Sequence, residues 1–276
     1  MKGLLSVSFG TSYVQTRERT IDAVEARLAD AFPDRAFYSA WTSGRIIAKV
    51  RAERGEEHDT LDEAFARVSD EGVDDLIVTT MCLMDGHEMR KIENAAAAWA
   101  RADEKRMARV ASPLLASSED RRAMAQAICD EFAAVPSEEA LLLMGHGISR
   151  NLKVALMEHD DQHDDPNAVY GQIQDELHAL GRVRFFVATV EGVPVFEDAL
   201  AAIEACGAKR VHLAPFMIVA GDHATNDLAG DDEDSWKSLL EARGYSTDVT
   251  LKGLGEYEGV QQLVCDHAHE ARVLER

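Results

Sequence analysis

The hydrophobic positions of this chain fall into short apolar runs that alternate with segments of helical periodicity. Ile21, Val24, Leu28 and Phe32 recur every three or four residues, and Pro33 ends that helical segment. Such alternation is typical of parallel β-sheets covered by α-helices. The predicted strands cover residues 3–8, 36–41, 75–81, 108–112, 140–144, 184–190, 210–215 and 247–251.

Two helix starts can be predicted from capping residues. Thr60 followed by Glu63 has the spacing of a capping box. Residues 231–234 are all acidic and precede a segment that reads as a helix ending near Gly244. We interpret these acidic residues as caps and as favourable charges at the helix N-terminus.

The chain contains an internal repeat. Residues 4–12 resemble residues 141–149, and residues 72–88 resemble residues 207–223 without a gap. The repeat predicts two related α/β lobes, which we place at residues 1–135 and 136–276. The last helix is expected to pack back on the first lobe.

The two copies of the repeat differ at two positions that could carry chemistry. Phe9 in the first copy corresponds to His146 in the second, and Glu88 corresponds to His223. All four residues follow predicted strands, and open parallel sheets bind ligands beyond the carboxyl ends of their strands. We therefore expect the functional site in a cleft between the lobes.

Three side chains at predicted strand ends form a candidate metal site. His146 lies between Gly145 and Gly147, where glycines allow a tight turn, and Glu191 follows another apolar strand. Together with His223 they would suit a divalent transition metal with open coordination positions, whereas structural zinc takes four protein ligands. The plainer alternative is two hydrogen-bonded histidines and a solvated carboxylate.

Four further histidines form two closely spaced pairs. His159 and His163 lie in a strongly acidic segment, where they could chelate a cation on one helix face. We favour a solvated loop, because segments this polar seldom pack. His267 and His269 are two residues apart and would diverge on a helix.

Composition and motifs exclude several function classes. With 29 Lys plus Arg against 50 Asp plus Glu, the formal net charge is −21, which disfavours binding to nucleic acid or to an anionic membrane. No apolar run approaches the roughly 18 residues of a membrane span, and we expect a cytoplasmic protein. Dinucleotide-binding, P-loop and Gly-x-Ser-x-Gly motifs are missing from the sequence, so no nucleotide cofactor is predicted. The four widely spaced cysteines read as thiols of the core.

Several motifs of the sequence resemble those of a known enzyme family. Residues 8–12, 144–147, 190–194 and 219–227 look like the anaerobic sirohydrochlorin cobaltochelatases of the CbiK type, and the resemblance runs nearly end to end. It implies a class II chelatase fold, in which two Rossmann-like lobes with parallel sheets flanked by helices enclose a tetrapyrrole.

The resemblance also implies a reaction and a set of site residues. The reaction is ATP-independent insertion of Co²⁺, as the substrate metal, into sirohydrochlorin during anaerobic cobalamin biosynthesis. His146 would be metal ligand and proton acceptor, His223 the second imidazole ligand and Glu191 the carboxylate ligand. The remaining implied site residues are the acid Glu88 and the macrocycle contacts Phe9, Gly10 and Thr11.

Sirohydrochlorin carries many carboxylates, so its binding site should be locally basic despite the negative charge of the whole chain. Arg45 and Arg150 are the candidate contacts, with Lys49, Arg90, Lys91 and Lys153 as basic neighbours. Three alternatives stay open: insertion of Fe²⁺ or Ni²⁺ by the same fold, a non-catalytic carrier of metal or tetrapyrrole, and an α/β protein without metal chemistry. A homo-oligomer is equally open.

Overall fold

The computed structural model describes residues 1–148, 165 and 167–274. The chain divides into two compact units. One unit comprises Met1–Ala116 and Gln261–Arg276, and the other comprises Ser117–Val260.

Strands and helices alternate along most of the described chain. The strands are β1 (Lys2–Ser8), β2 (Ala36–Trp41), β3 (Asp75–Thr80), β4 (Met107–Val110), β5 (Ala140–Gly145), β6 (Phe185–Thr189), β7 (Arg210–Pro215), β8 (Ser246–Val249) and β9 (Arg272–Val273). The α-helices are α1 (Val14–Arg19), α2 (Ile21–Ala31), α3 (Gly44–Arg54), α4 (Leu61–Asp70), α5 (His87–Arg101), α6 (Ser118–Glu131), α7 (Ala168–Ala179), α8 (Phe196–Cys206), α9 (Trp236–Glu241) and α10 (Glu258–His269). A π-helical turn at Ala224–Leu228 and a 3₁₀ turn at Leu254–Glu256 complete the described helical segments.

Each unit contains one sheet, and the two sheets share a strand order. The first sheet has the order β2-β1-β3-β4-β9 and the second has the order β6-β5-β7-β8. All pairings are parallel except that of β9 with β4. The first four strands of each unit therefore follow the same topology, and the two-lobe α/β fold predicted from the repeat is confirmed.

Each predicted strand overlaps an observed strand, and the predicted capping box is present. The Thr60 hydroxyl accepts the Glu63 N–H at 3.3 Å, and the Glu63 carboxylate accepts the Thr60 N–H at 2.8 Å. The acidic residues before α9 do not cap it, because the Ser235 hydroxyl accepts the Ser238 N–H instead. Asp231 pairs with Lys237 in the first turn of that helix.

The units divide at residue 116, whereas the repeat suggested residue 135. Helix α6 packs against α7 and so belongs to the second unit. The end of α10 belongs to the first unit, where His267 Nδ1 lies 2.9 Å from the Ser112 carbonyl oxygen. His269 stacks on Phe32 with ring centroids 4.2 Å apart, so the two histidines diverge as predicted.

The central strands supply the core of each unit. Leu5, Val7 and Val78 are fully buried in the first unit, as are Leu142 and Leu213 in the second. Burying such a side chain contributes about 1.5–3 kcal/mol.

The four cysteines are all free thiols, and two of them are buried, Cys129 and Cys265. Across the described residues, none of the helices combines the length and apolarity that crossing a membrane demands.

A pocket of about 450 Å³ beside β2 holds a carboxyl group whose protonation should affect stability. The Ser39 hydroxyl donates to Glu25 Oε1 at 2.6 Å, and burial raises the pKa of Glu25 from 4.5 to about 7. The folded chain therefore keeps this proton to a higher pH than the unfolded chain does. Folding stability should fall as the pH rises from 4.5 towards 7.

Glu25→Gln should remove this pH-dependent loss of stability. The amide keeps an acceptor for Ser39 and carries no charge, so above pH 7 the variant should be more stable by about 2–3 kcal/mol. Below the usual carboxyl pKa the two proteins should be equally stable. Urea unfolding at low and high pH measures the difference. Glu57→Gln, which alters an exposed carboxylate lining the same pocket, should show no such gain. A Glu25→Gln gain of equal size at both pH values would contradict the explanation.

Candidate active site

His146 is the first residue after β5, and the glycines on either side of it are required by close packing. A Cβ on Gly145 would lie 2.3 Å from the Tyr170 ring. Gly147 has φ +79°, and a Cβ there would lie 2.4 Å from the Gly192 backbone nitrogen. The sequence thus places an exposed imidazole on a turn that only glycine can form.

Two side chains at the start of α7 hold this turn. The Tyr170 hydroxyl accepts the Gly147 N–H at 3.0 Å. Asn167 binds both backbone groups of Ile148, accepting its N–H at 2.9 Å and donating to its carbonyl at 3.0 Å. Burial raises the pKa of Tyr170 to about 12, so this hydroxyl stays neutral. Sequence reasoning missed both residues, because neither belongs to a recognisable motif.

His223 lies beside His146 at the entrance to the π-helical turn that follows β7. The two ring centroids are 4.8 Å apart and the rings are nearly perpendicular, at 85°. His146 Nδ1 lies 2.8 Å from the Gly147 carbonyl oxygen, and His223 Nδ1 lies 2.5 Å from Asp227 Oδ2. The structure therefore brings together the two imidazoles that the repeat singled out, and Asp227 joins them unpredicted.

A backbone hydrogen bond links Glu191 to His146. The Glu191 N–H donates to the His146 carbonyl at 2.9 Å, and the Glu191 side chain is exposed. The Thr189 hydroxyl accepts the Gly192 N–H at 3.1 Å and so fixes the turn that carries Glu191. Within residues 1–148, 165 and 167–274, no three His, Cys, Asp or Glu side chains are arranged to hold a metal ion. The Glu191 carboxylate thus lies on a turn next to His146, but it does not form a three-ligand metal site with the two histidines in this structure.

The corresponding turn of the first unit carries the predicted macrocycle contacts. Phe9 follows β1 and is 57% exposed, which is unusual for such a large apolar side chain. Gly10 has φ +87°, and a Cβ there would lie 2.5 Å from the Trp41 ring. The Thr11 hydroxyl is buried and accepts the Tyr13 N–H at 3.2 Å. Trp41, which packs on Gly10 and stacks on His58, was not predicted as part of this region.

Glu88 lies in the first turn of α5, after β3. One carboxylate oxygen, Oε1, accepts from Lys91 Nζ at 2.9 Å. The other, Oε2, is buried and has no hydrogen-bond partner among the described residues. The carboxylate therefore keeps one oxygen free for a proton or a cation.

The predicted basic contacts are described only in part. Arg45 and Lys49 are exposed on α3. Arg150 and Lys153 lie outside the described residues, as do His159 and His163.

Comparison with known proteins identifies relatives over nearly the whole chain. The family model for "Cobalt chelatase (CbiK)" matches residues 2–273. The sirohydrochlorin cobaltochelatase of Salmonella typhimurium is 34% identical, over 98% of this chain and 96% of that protein. The sirohydrochlorin cobaltochelatase CbiKC of Nitratidesulfovibrio vulgaris is 29% identical, over 96% of this chain and 89% of that protein.

Solved structures share the fold at low sequence identity. SirB from Bacillus subtilis, solved with Fe³⁺, superposes with a TM-score of 0.65 at 14% identity, covering 98% of this chain and 95% of SirB. CbiX, described as the terminal enzyme for siroheme biosynthesis in denitrifying bacteria, gives 0.56 at 18% identity, over 98% and 99% of the two chains. These likenesses confirm the predicted chelatase fold. The chain belongs to the cobalt chelatase (CbiK) family, as its sequence motifs suggested.

Proposed function

We propose that this protein is a sirohydrochlorin cobaltochelatase, which inserts Co²⁺ into sirohydrochlorin for cobalamin biosynthesis. The observation that carries the proposal is the pair of imidazoles, 4.8 Å apart beyond the second sheet, in a chain of the cobalt chelatase family. The relatives from Salmonella typhimurium and Nitratidesulfovibrio vulgaris are each named for this activity. Their names favour cobalt over the alternatives of Fe²⁺ and Ni²⁺.

The reaction requires groups that can bind a cation and accept protons. As Co²⁺ enters the macrocycle, two pyrrole N–H bonds break and two protons leave, so the net charge is balanced. A ring nitrogen of His146 or His223 can bind the ion or take a proton, but not both at once. The two rings therefore share these tasks in sequence. General-base assistance of this kind typically contributes a factor of about 100 to 10,000.

The other predicted residues have supporting roles in this proposal. Glu191 supplies the carboxylate ligand from the turn beside His146, and Glu88 offers its free oxygen as a further acid. Incomplete protein ligation also suits an ion that must be released to the substrate. Insertion requires no nucleotide, and the enzyme works in the cytoplasm.

Substrate contacts come from both apolar and basic side chains. The exposed ring of Phe9 packs on the macrocycle beside Gly10 and Thr11. Arg45 pairs with a substrate carboxylate, and Arg150 is proposed to do the same. Basic side chains at these positions offset the repulsion between a polyanionic substrate and a chain with a net charge of −21.

Turnover distinguishes this enzyme from a carrier. Purified protein mixed with excess sirohydrochlorin and Co²⁺, without ATP, should give many equivalents of the cobalt product, followed by its visible absorption and corrected for the reaction without protein. Parallel reactions with Fe²⁺ and Ni²⁺ test the metal. A spectral change that stops at one equivalent per protein would show a non-catalytic carrier instead.

A further inference from the structure

Within the described residues, the side chain of His223 contacts the carboxylate of Asp227 and the ring of His146. The carboxylate oxygen Oδ2 lies 2.5 Å from His223 Nδ1, and the two residues are four positions apart. Both side chains are partly exposed. A carboxylate accepts hydrogen bonds and donates none, so this bond places a proton on Nδ1.

We infer that Asp227 is a positioning residue, which fixes the His223 ring so that its Nε2 faces outward with a free lone pair. The inference rests on the proposed function, in which His223 binds Co²⁺ or accepts a proton. A neutral imidazole carries one proton, and metal and proton both bind the unprotonated nitrogen. Without the carboxylate, the ring could rotate or carry its proton on Nε2 instead.

The neighbouring imidazole is held in the same way by a different acceptor. His146 Nδ1 lies 2.8 Å from the Gly147 carbonyl oxygen, which also only accepts. In both rings Nδ1 is therefore engaged, and both Nε2 atoms are left for chemistry. His146 obtains its acceptor from the backbone turn, whereas His223 depends on the side chain of Asp227.

The turn that carries His223 and Asp227 is built from other contacts. The Thr225 hydroxyl donates to the Gly221 carbonyl at 2.9 Å, and the Asn226 amide donates to Asp222 at 3.0 Å. Gly230 closes the segment by donating its N–H to the Asn226 carbonyl at 3.0 Å. Replacement of Asp227 should therefore change the ring and leave the turn folded.

The test compares Asp227→Asn with the wild-type protein in two measurements that need no tetrapyrrole. Long-range ¹H–¹⁵N spectra of the metal-free protein, with His223 assigned from a His223→Gln variant, report which ring nitrogen is protonated. Titration with Co²⁺ alone reports affinity. An amide can donate as well as accept, so the variant should shift the proton towards Nε2 and weaken Co²⁺ binding by about 10- to 100-fold.

Two further variants separate the hydrogen bond from local charge. Asp222→Asn removes a carboxylate charge from the same turn, but its amide oxygen can still accept from Asn226, so neither measurement should change. Asp227→Glu keeps a carboxylate and should restore most of the affinity. An Asp227→Asn protein whose Nε2 stays unprotonated and whose Co²⁺ affinity lies within twofold of wild type would overturn the inference. Sirohydrochlorin enters neither measurement, so failure of the proposed insertion reaction is detected separately, by the turnover assay.

Discussion

Replacing His146 by alanine is expected to lower the rate of cobalt insertion by about 100- to 10,000-fold while the protein stays folded. The ring is exposed and, among the described residues, contacts the Gly147 carbonyl and the ring of His223, so its loss leaves no cavity in the described core. It removes one of the two imidazoles that share metal binding and proton acceptance. Initial rates at saturating Co²⁺ and sirohydrochlorin measure the effect, with circular dichroism to verify the fold.

A second histidine of the same unit provides the matched control. His212 lies within β7 and its ring pairs with Glu139 at 2.5 Å. His212→Ala should therefore leave the insertion rate near that of wild type. A His146→Ala rate within tenfold of wild type would contradict the assignment of His146 as ligand and base.

Strand positions and the division into two parallel α/β lobes were accessible from the sequence because most of the strands are apolar and two of them recur in the repeat. The repeat related β1 to β5 and β3 to β7, and these pairs occupy equivalent places in the two sheets. Strand β9 was missed, because Arg272–Val273 is two residues long and is defined only by its antiparallel partner β4. A strand so short leaves no periodic pattern to detect.

The site was predictable where chemistry follows strand ends and unpredictable where it depends on tertiary packing. His146 and His223 were found by comparing the two copies of the repeat. Asp227 lies four residues after His223. The hydrogen bond between them forms because this segment is a π-helical turn, which was not predicted from the sequence. Tyr170 and Asn167 reach the His146 turn from α7, and such contacts leave no local signal.

Gly147→Ala is expected to damage both stability and activity. A side chain at φ +79° costs about 1–2 kcal/mol, and the added Cβ would lie 2.4 Å from the Gly192 nitrogen and 2.9 Å from Thr189 Cβ. Relief of that overlap requires the turn carrying Glu191 to move, which typically adds about 1–3 kcal/mol. We therefore expect a total loss of about 2–5 kcal/mol in the free energy of unfolding, measured with urea.

The same substitution should displace His146 from His223, because Gly147 N–H is the group that Tyr170 holds. Misplacement of a reacting group by about 1 Å can cost about 100-fold in rate, so the folded variant should insert cobalt that much more slowly. Gly181→Ala is the matched control in the same unit: it has φ +85° but nothing within 4 Å of the added Cβ. Gly181→Ala should lose only the roughly 1–2 kcal/mol that a side chain costs at positive φ, and it should keep its activity. Equal stability of the two variants would show that the contact with Gly192 does not constrain the His146 turn.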